Sequence, residues 1–183
     1  NSLHSRSTRA HKELDHIPWL IERYKQAILA KLYDEAVDAA KRSVTLGDIA
    51  HEVRNGLSRK PEPTAPGVPI LRISAVRPGV VRLDAPRFYR PTDGENLQTY
   101  LLRNGDLLFT RYNGNPDFVA VCGLVRGVTG PTVYPDKLIR IRLDEERVSP
   151  AFIEMIAQAP QSRRQLEPFI KTAAGQHGIS GRD

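Results

Sequence analysis

The chain has a single cysteine, Cys122, among 183 residues, so no internal disulfide can form. Cys122 stands in the apolar run VAVCGLV, where a small buried thiol is expected. With nothing to oxidise in pairs, the chain suits a reducing cytoplasmic compartment. No apolar stretch approaches the ~20 residues that cross a bilayer, and the polar first ten residues carry no signal peptide. The five histidines (4, 11, 16, 51 and 177) are scattered and have no zinc-ligand spacing. No phosphate-binding G-x-x-x-x-G-K-[ST] or G-x-G-x-x-G run occurs, and no G-x-S-x-G elbow. Asp106 and Asp117 flank the stretch RYNGN, but Asp106 follows a glycine and reads as a turn cap, not half of a catalytic pair. These absences argue against most hydrolases, nucleotide-binding enzymes and metal sites.

Basic charge is present, and it is unevenly placed. The net charge is +6. Residues 54–90 hold eight basic side chains against two acidic ones, while the chain from residue 91 onward is balanced at eleven of each. Arginine supplies seven of the eight cations in the block. Its planar fork of donors matches phosphate and guanine edges better than lysine does. A solvated positive face is the alternative.

The pattern predicts α+β architecture. A long N-terminal helix, over 11–40, carries one apolar stripe of Ile17, Ile21, Tyr24, Ile28 and Leu32 at helical spacing, with Pro18 in its first turn. A stripe this narrow asks for a helical partner or for the chain's own domain. A polar, basic junction follows, then a mixed, strand-rich twisted sheet domain with peripheral helices. Thr45 is expected to cap a short helix through Val53. Strands are expected at 69–76, 80–83, 87–89, 106–110, 118–125 and 138–143, and a short helix at 93–102. In 138–143 the apolar residues alternate with Arg140 and Arg142, which predicts one wet face. Ser149-Pro150 opens a helix, and a second helical piece over 161–170 meets Pro168. Residues 173–178 read as a loop. The division is 1–42 as a helical segment for spacing or dimerisation, and 43–183 as the second unit, cut short at its C-terminus as in a piece of a longer chain.

Five segments then resemble a known family, in that family's order. They are LDHIPWLIERYKQAILA (14–30), VTLGDIA (44–50), PILRIS (69–74), GDLLFTRYNG (105–114) and GQHGIS (175–180). Together they resemble the specificity subunit of type I restriction-modification enzymes. The resemblance implies a DNA target recognition domain that is catalytically inert and binds no cofactor itself. It implies duplex DNA as ligand, modification (methyltransferase) subunits as partners and restriction subunits through the complex. S-adenosylmethionine, ATP and Mg would belong to those partners. It also implies that the helix stripe packs on a second specificity half or copy.

The residues favour the same chemistry. Arg111 can pair with guanine, Asn113 and Asn115 with adenine, and Tyr112 can stack or touch a thymine methyl. Gly114 eases the turn, and Asn115-Pro116 stiffens its exit. Gln176 and His177, in a glycine-flanked segment, join them as candidate base contacts. Arg54, Arg59, Lys60, Arg72 and Lys137 are the candidate phosphate contacts, which position without specifying sequence. For Arg72 an internal carboxylate partner is an equal alternative, and for RYNGN an ordinary hairpin turn is. Two other classes compete. One is a serine–lysine peptidase-like all-β domain using Ser74 and Lys137. The other is an RNA- or protein-interaction module using the basic face.

Overall fold

The computed structural model describes residues 7–8, 13–40, 43–173 and 175–183. The expected helix start at His11, the junction at 41–42 and Ala174 lie outside them.

Helix α1 spans Ile17–Ala39, and Pro18 sits in its first turn without breaking it. Short strands follow: β1 (Ala50–Asn55), β2 (Val68–Ile70), β3 (Val76–Arg77), β4 (Val80–Val81) and β5 (Arg87–Tyr89). Then come β6 (Leu107–Thr110), β7 (Tyr112–Asn113), β8 (Cys122–Leu124) and β9 (Leu138–Leu143). Helices α2 (Pro150–Ala157) and α3 (Pro160–Leu166) precede β10 (Lys171–Ala173) and β11 (Gln176–Gly178). The architecture is the expected α+β mixture.

The central sheet is antiparallel, in the order β1-β9-β6-β8. Both of its faces are covered, which is why β6 (LLFT) is buried at every position and shows no polar alternation. Leu107 and Phe109 join Ile139, Ile141 and Ile153 of α2 on one side. Leu108 joins Leu71, Val121, Tyr134 and Leu138 on the other. Successive strand residues face opposite ways, so one strand feeds two cores. Cys122 is buried in the first core, and that burial pushes its thiol pKa up.

Several local expectations change. Thr45 precedes only a single turn, Gly47–Ile49, and is tied to it reciprocally: its N–H donates to Asp48 Oδ2 at 2.8 Å and its hydroxyl oxygen accepts from Asp48 N at 3.3 Å. Residues 50–55 are strand, because they pair along β9. The expected helix at 93–102 shrinks to the turn Gln98–Tyr100. Residues 176–178 form strand β11, not loop.

The predicted wet face of β9 is the largest correction. Arg140 has no solvent exposure. Its Nη2 donates to Glu52 Oε2 at 2.6 Å and its Nη1 to Leu101 O at 3.0 Å. Arg142 donates to Asp106 Oδ1 at 2.7 Å and to Leu101 O at 2.7 Å. The Arg140 guanidinium also lies 5.3 Å from the Tyr134 ring centre. Full burial of Arg140 and partial burial of Arg142 are tolerable here because carboxylates and the Leu101 carbonyl replace most of the lost water; of their nitrogens, Arg140 Nε alone has no hydrogen-bond partner among the described residues. Burial works to raise the Glu52 pKa, but the Arg54 hydrogen bond and the charges of Arg140, Arg54 and Arg142 outweigh it, leaving it below the usual range.

Helix α1 rests on α2 and α3 along a side the stripe does not use. Leu29 is its buried residue. Gln161 Nε2 donates to Ala30 O at 3.2 Å and to Asp34 Oδ1 at 2.8 Å, and Gln165 Nε2 to the Tyr33 hydroxyl at 2.6 Å. The stripe Ile17, Ile21, Tyr24, Ile28 and Leu32 is exposed throughout, Ile21 by 61% and Tyr24 by 70%. Among the described residues, no helix is long and apolar enough to cross a membrane.

Candidate nucleic-acid interface

The polar stretch after β6 is not a plain hairpin turn. Buried Thr110 closes its base: its hydroxyl donates to Phe118 O at 2.5 Å and accepts from Val121 N at 2.9 Å. From α3, Arg163 donates to Val119 O at 2.6 Å and to Pro116 O at 2.9 Å, fixing the exit. At the entry, Arg111 N donates to Lys137 O at 2.8 Å. Two amides turn the chain between these anchors. Asn113 Oδ1 accepts from Asn115 N at 3.0 Å, and Asn115 Oδ1 accepts from Asp117 N at 2.9 Å. Gly114 to Asp117 are exposed, while Arg111, Tyr112 and Asn113 are half-buried.

The two groups of candidate base contacts meet. Strand β7 pairs antiparallel with β11, His177 opposite Asn113 and Gly178 opposite Tyr112, in the sheet β10-β11-β7. His177 Nδ1 is held 2.9 Å from the Thr172 hydroxyl. Gln176 is exposed beside them. The Arg111 guanidinium lies 4.6 Å from the Tyr112 ring centre, and Gly178 lies so close to that ring that a Cβ there would stand 2.4 Å from Tyr112 Cδ1. Tyr112 is therefore a wedge between Arg111 and β11, and less free to stack on a base than its position in the sequence implies.

Beside this sheet opens a cleft of about 570 Å³, lined by Arg59, Lys60, Arg72, Arg87 and Lys137. It brings together four of the five candidate phosphate contacts. Arg72 and Ser74 also line a second hollow with Arg77 and Arg82, so the cationic surface continues past them. The Arg77 guanidinium lies 4.9 Å from the ring of Phe118, at the loop exit. At the other end, Arg111 Nη1 donates to Asp136 O at 3.4 Å. The loop thus touches the cationic surface at both of its ends.

The candidate cations are not equally free. Arg54 donates to Glu52 at 2.5 Å and is spent on the buried ion network. Arg59 stands 3.4 Å from Glu95 and donates to Arg90 O at 3.0 Å. The Tyr89 hydroxyl, and then the Thr92 N–H, hold the Glu95 carboxyl down to about 2, so that partner stays ionised. Lys60, Arg72, Arg87 and Lys137 have no ion pair among the described residues. Arg72 has no internal carboxylate partner, and Arg87 joins the set from the basic block.

No protein-family model matches the chain. It is 41% identical over 188 residues to the type I restriction enzyme EcoKI specificity subunit of Escherichia coli K12, an alignment covering 97% of this chain and 40% of that protein. The chain is a relative of type I restriction specificity subunits. It is also 27% identical over 183 residues to the StySPI specificity subunit of Salmonella potsdam, with 95% and 39% covered. A putative MjaX specificity subunit of Methanocaldococcus jannaschii is 22% identical over 135 residues, with 74% and 32% covered. The chain spans about two-fifths of the length of the first two relatives.

Thr110 and Arg163 were missed by sequence reading. Both act on backbone carbonyls, and residue-type patterns carry no trace of such bonds. Ser74 and Lys137 do share the cleft, but no hydrogen bond joins them, and Lys137 is exposed where a lysine base needs a dry pocket. A larger cavity of about 640 Å³, between residues 44–49 and α2–α3, is lined mainly by apolar side chains such as Leu46, Phe109, Ile153 and Leu166. It lacks the convergent polar groups of a reading site. No cluster of potential metal ligands forms among the described residues.

Proposed function

We propose that this chain reads duplex DNA sequence-specifically, as a target recognition domain of a type I restriction-modification specificity subunit. One observation carries the reading: the β7–β11 pairing joins Asn113 to His177 beside a cleft in which Lys60, Arg72, Arg87 and Lys137 have no ion pair among the described residues. Lys60, Arg72 and Lys137 hold phosphates, Arg59 assists against competition from Glu95, and Arg54 serves the fold. The loop and β11 supply base contacts. The chain itself is catalytically inert and carries no cofactor; S-adenosylmethionine, ATP and Mg act in the modification and restriction subunits.

Selection of bound duplexes from a random pool, with the modification subunit added, tests the reading. A defined sequence should emerge, and its absence would end the proposal. The cleft makes its own prediction. Replacing Lys60, Arg72 or Lys137 by Ala should weaken binding about equally on all sequences. Each replacement should also reduce the slope of log affinity against log salt by about one. An unchanged slope would remove that side chain from the phosphate contacts.

The exposed stripe on α1 supports helix docking by a modification subunit or a second specificity half. Ile21→Asp with Ile28→Asp should abolish co-purification of that partner while leaving the melting temperature nearly unchanged, since both side chains are exposed. Retained co-purification would reject α1 as the docking helix.

A further inference from the structure

We infer that Arg77 and Arg82 form, with Arg72, a second phosphate seat at the exit of the reading loop, so that the DNA backbone runs past the loop and does not end at the cleft; this rests on the DNA-reading proposal. The β3–β4 hairpin builds the seat. Val76 lies opposite Val81, and Arg77 opposite Val80. The pairing continues beyond the strands, with Arg82 N donating to Ala75 O at 2.9 Å. Side chains alternate across such a ribbon, so Val76 and Val81 share one face while Arg77 and Arg82 share the other. The apolar face is packed: Val76 is fully buried in the second core, with Val81 against it. The opposite face is therefore held outward, and it carries both arginines. With Arg72, Ser74 and Asp84 they line a hollow of about 250 Å³.

The cations that converge there are not neutralised inside the fold. Arg72, Arg77 and Arg82 have no ion pair among the described residues. Arg77 is already held in place: its guanidinium lies 4.9 Å from the Phe118 ring centre, and its Nη1 donates to Val76 O at 2.8 Å. Its other N–H donors remain for a phosphate, whose oxygens accept several at once. Phe118 is tied to the base of the loop, since its carbonyl accepts from the Thr110 hydroxyl. A phosphate on Arg77 therefore stands at a fixed place relative to the loop. Arg72 and Ser74 line both this hollow and the cleft, which makes the two continuous. A free phosphate would need one such hollow; a row of phosphates uses both, which favours a polyanion as the ligand. Asp84 is the carboxylate among the residues lining the hollow. Its charge opposes the ligand and limits the affinity of the seat.

The test uses the full chain with the modification subunit and the duplex it selects. A series of that duplex carries one methylphosphonate linkage each, which removes the charge of a single phosphate. Arg82→Ala should lower affinity roughly two- to fivefold and reduce the slope of log affinity against log salt by about one. The variant should also become indifferent to a methylphosphonate linkage that weakens the wild-type complex. That linkage should differ from those silenced in the same way by Lys60→Ala or Lys137→Ala. Asp84→Asn should bind roughly two- to fivefold tighter. Both side chains are exposed, so neither change threatens the fold. An unchanged salt slope for Arg82→Ala, silencing of no linkage, or silencing of the same linkage as a cleft variant would each overturn the seat while leaving DNA reading intact. So would Asp84→Asn that binds no tighter than the wild type. Failure of the wild-type chain to select any sequence would instead refute the DNA reading itself.

Discussion

Gly178→Ala should abolish sequence-selective DNA binding while leaving the chain folded. The backbone of Gly178 is in β11, opposite Tyr112. An added Cβ would stand 2.4 Å from Tyr112 Cδ1 and 2.5 Å from Cε1, far inside contact distance. The ring cannot retreat freely, because the Arg111 guanidinium lies 4.6 Å from its centre. Relief therefore means separating β11 from β7. That splits His177 and Gln176 from Asn113 and frees the loop that Thr110 and Arg163 hold at its base. Losing two base contacts at once should cost about 3 kcal/mol, or roughly a hundredfold in affinity. β7 lies outside the two main cores, but Ile179, next to β11, belongs to the first and donates its N–H to Arg111 O, so some stability should be lost while the central sheet persists. Binding titrations on specific and scrambled duplexes check this. Selectivity that survives in the Ala variant would show that the β7–β11 junction is not the reading surface.

Asp106→Ala should lower folding stability by about 3–5 kcal/mol, the cost of stranding buried charge. Asp106 is 2% exposed. It accepts from Arg142 Nε at 2.7 Å and from Arg103 N at 2.8 Å, and it stands 4.0 Å from Arg140 Nε. Without it, Glu52 is the one carboxylate among the described residues left to the fully buried Arg140 and its neighbour Arg142, beside the Leu101 carbonyl. The effect reaches the interface. Tyr134 packs against Arg140, and its backbone oxygen accepts from Leu57 N at 2.9 Å. Leu57 and Pro135 both line the cationic cleft. A denaturant titration should show a lower midpoint with an unchanged slope. A loss below about 1 kcal/mol would mean that water reaches these charges and that the network contributes little.

Much of the architecture was legible locally. Ser149-Pro150 opens α2 as expected, because a proline at the first helical position loses no hydrogen bond. The α1 stripe is written in three- and four-residue spacing, and its exposure agrees with a helix awaiting a partner. The 54–90 block anticipated the cationic cleft, since like charges crowded along a short segment must share a region of surface. The RYNGN stretch stood out because polar residues interrupted good strand material.

Other features were illegible for a definite reason. A strand of two residues such as β7 has no periodicity to detect, and its partner β11 reads as a loop until the two are side by side. Arg140 and Arg142 look like a solvated face because alternation reports amphipathicity and not charge pairing. Arg140 and its acceptor Glu52 are 88 residues apart. The amide roles of Asn113 and Asn115 depended on backbone bonds, which residue type does not encode.

Residue order alone determined the helix with its apolar stripe, the strand at β6 and the concentration of arginine in one block. Each arises from spacing within a few residues, where covalent geometry already decides which side chains are neighbours. Only the tertiary structure decided which cations are spent on internal carboxylates and which stay free, and that residues near 113 and 177 form one surface. Those outcomes depend on contacts between segments far apart in the chain, made only when the central sheet buries both faces and brings its distant edges together.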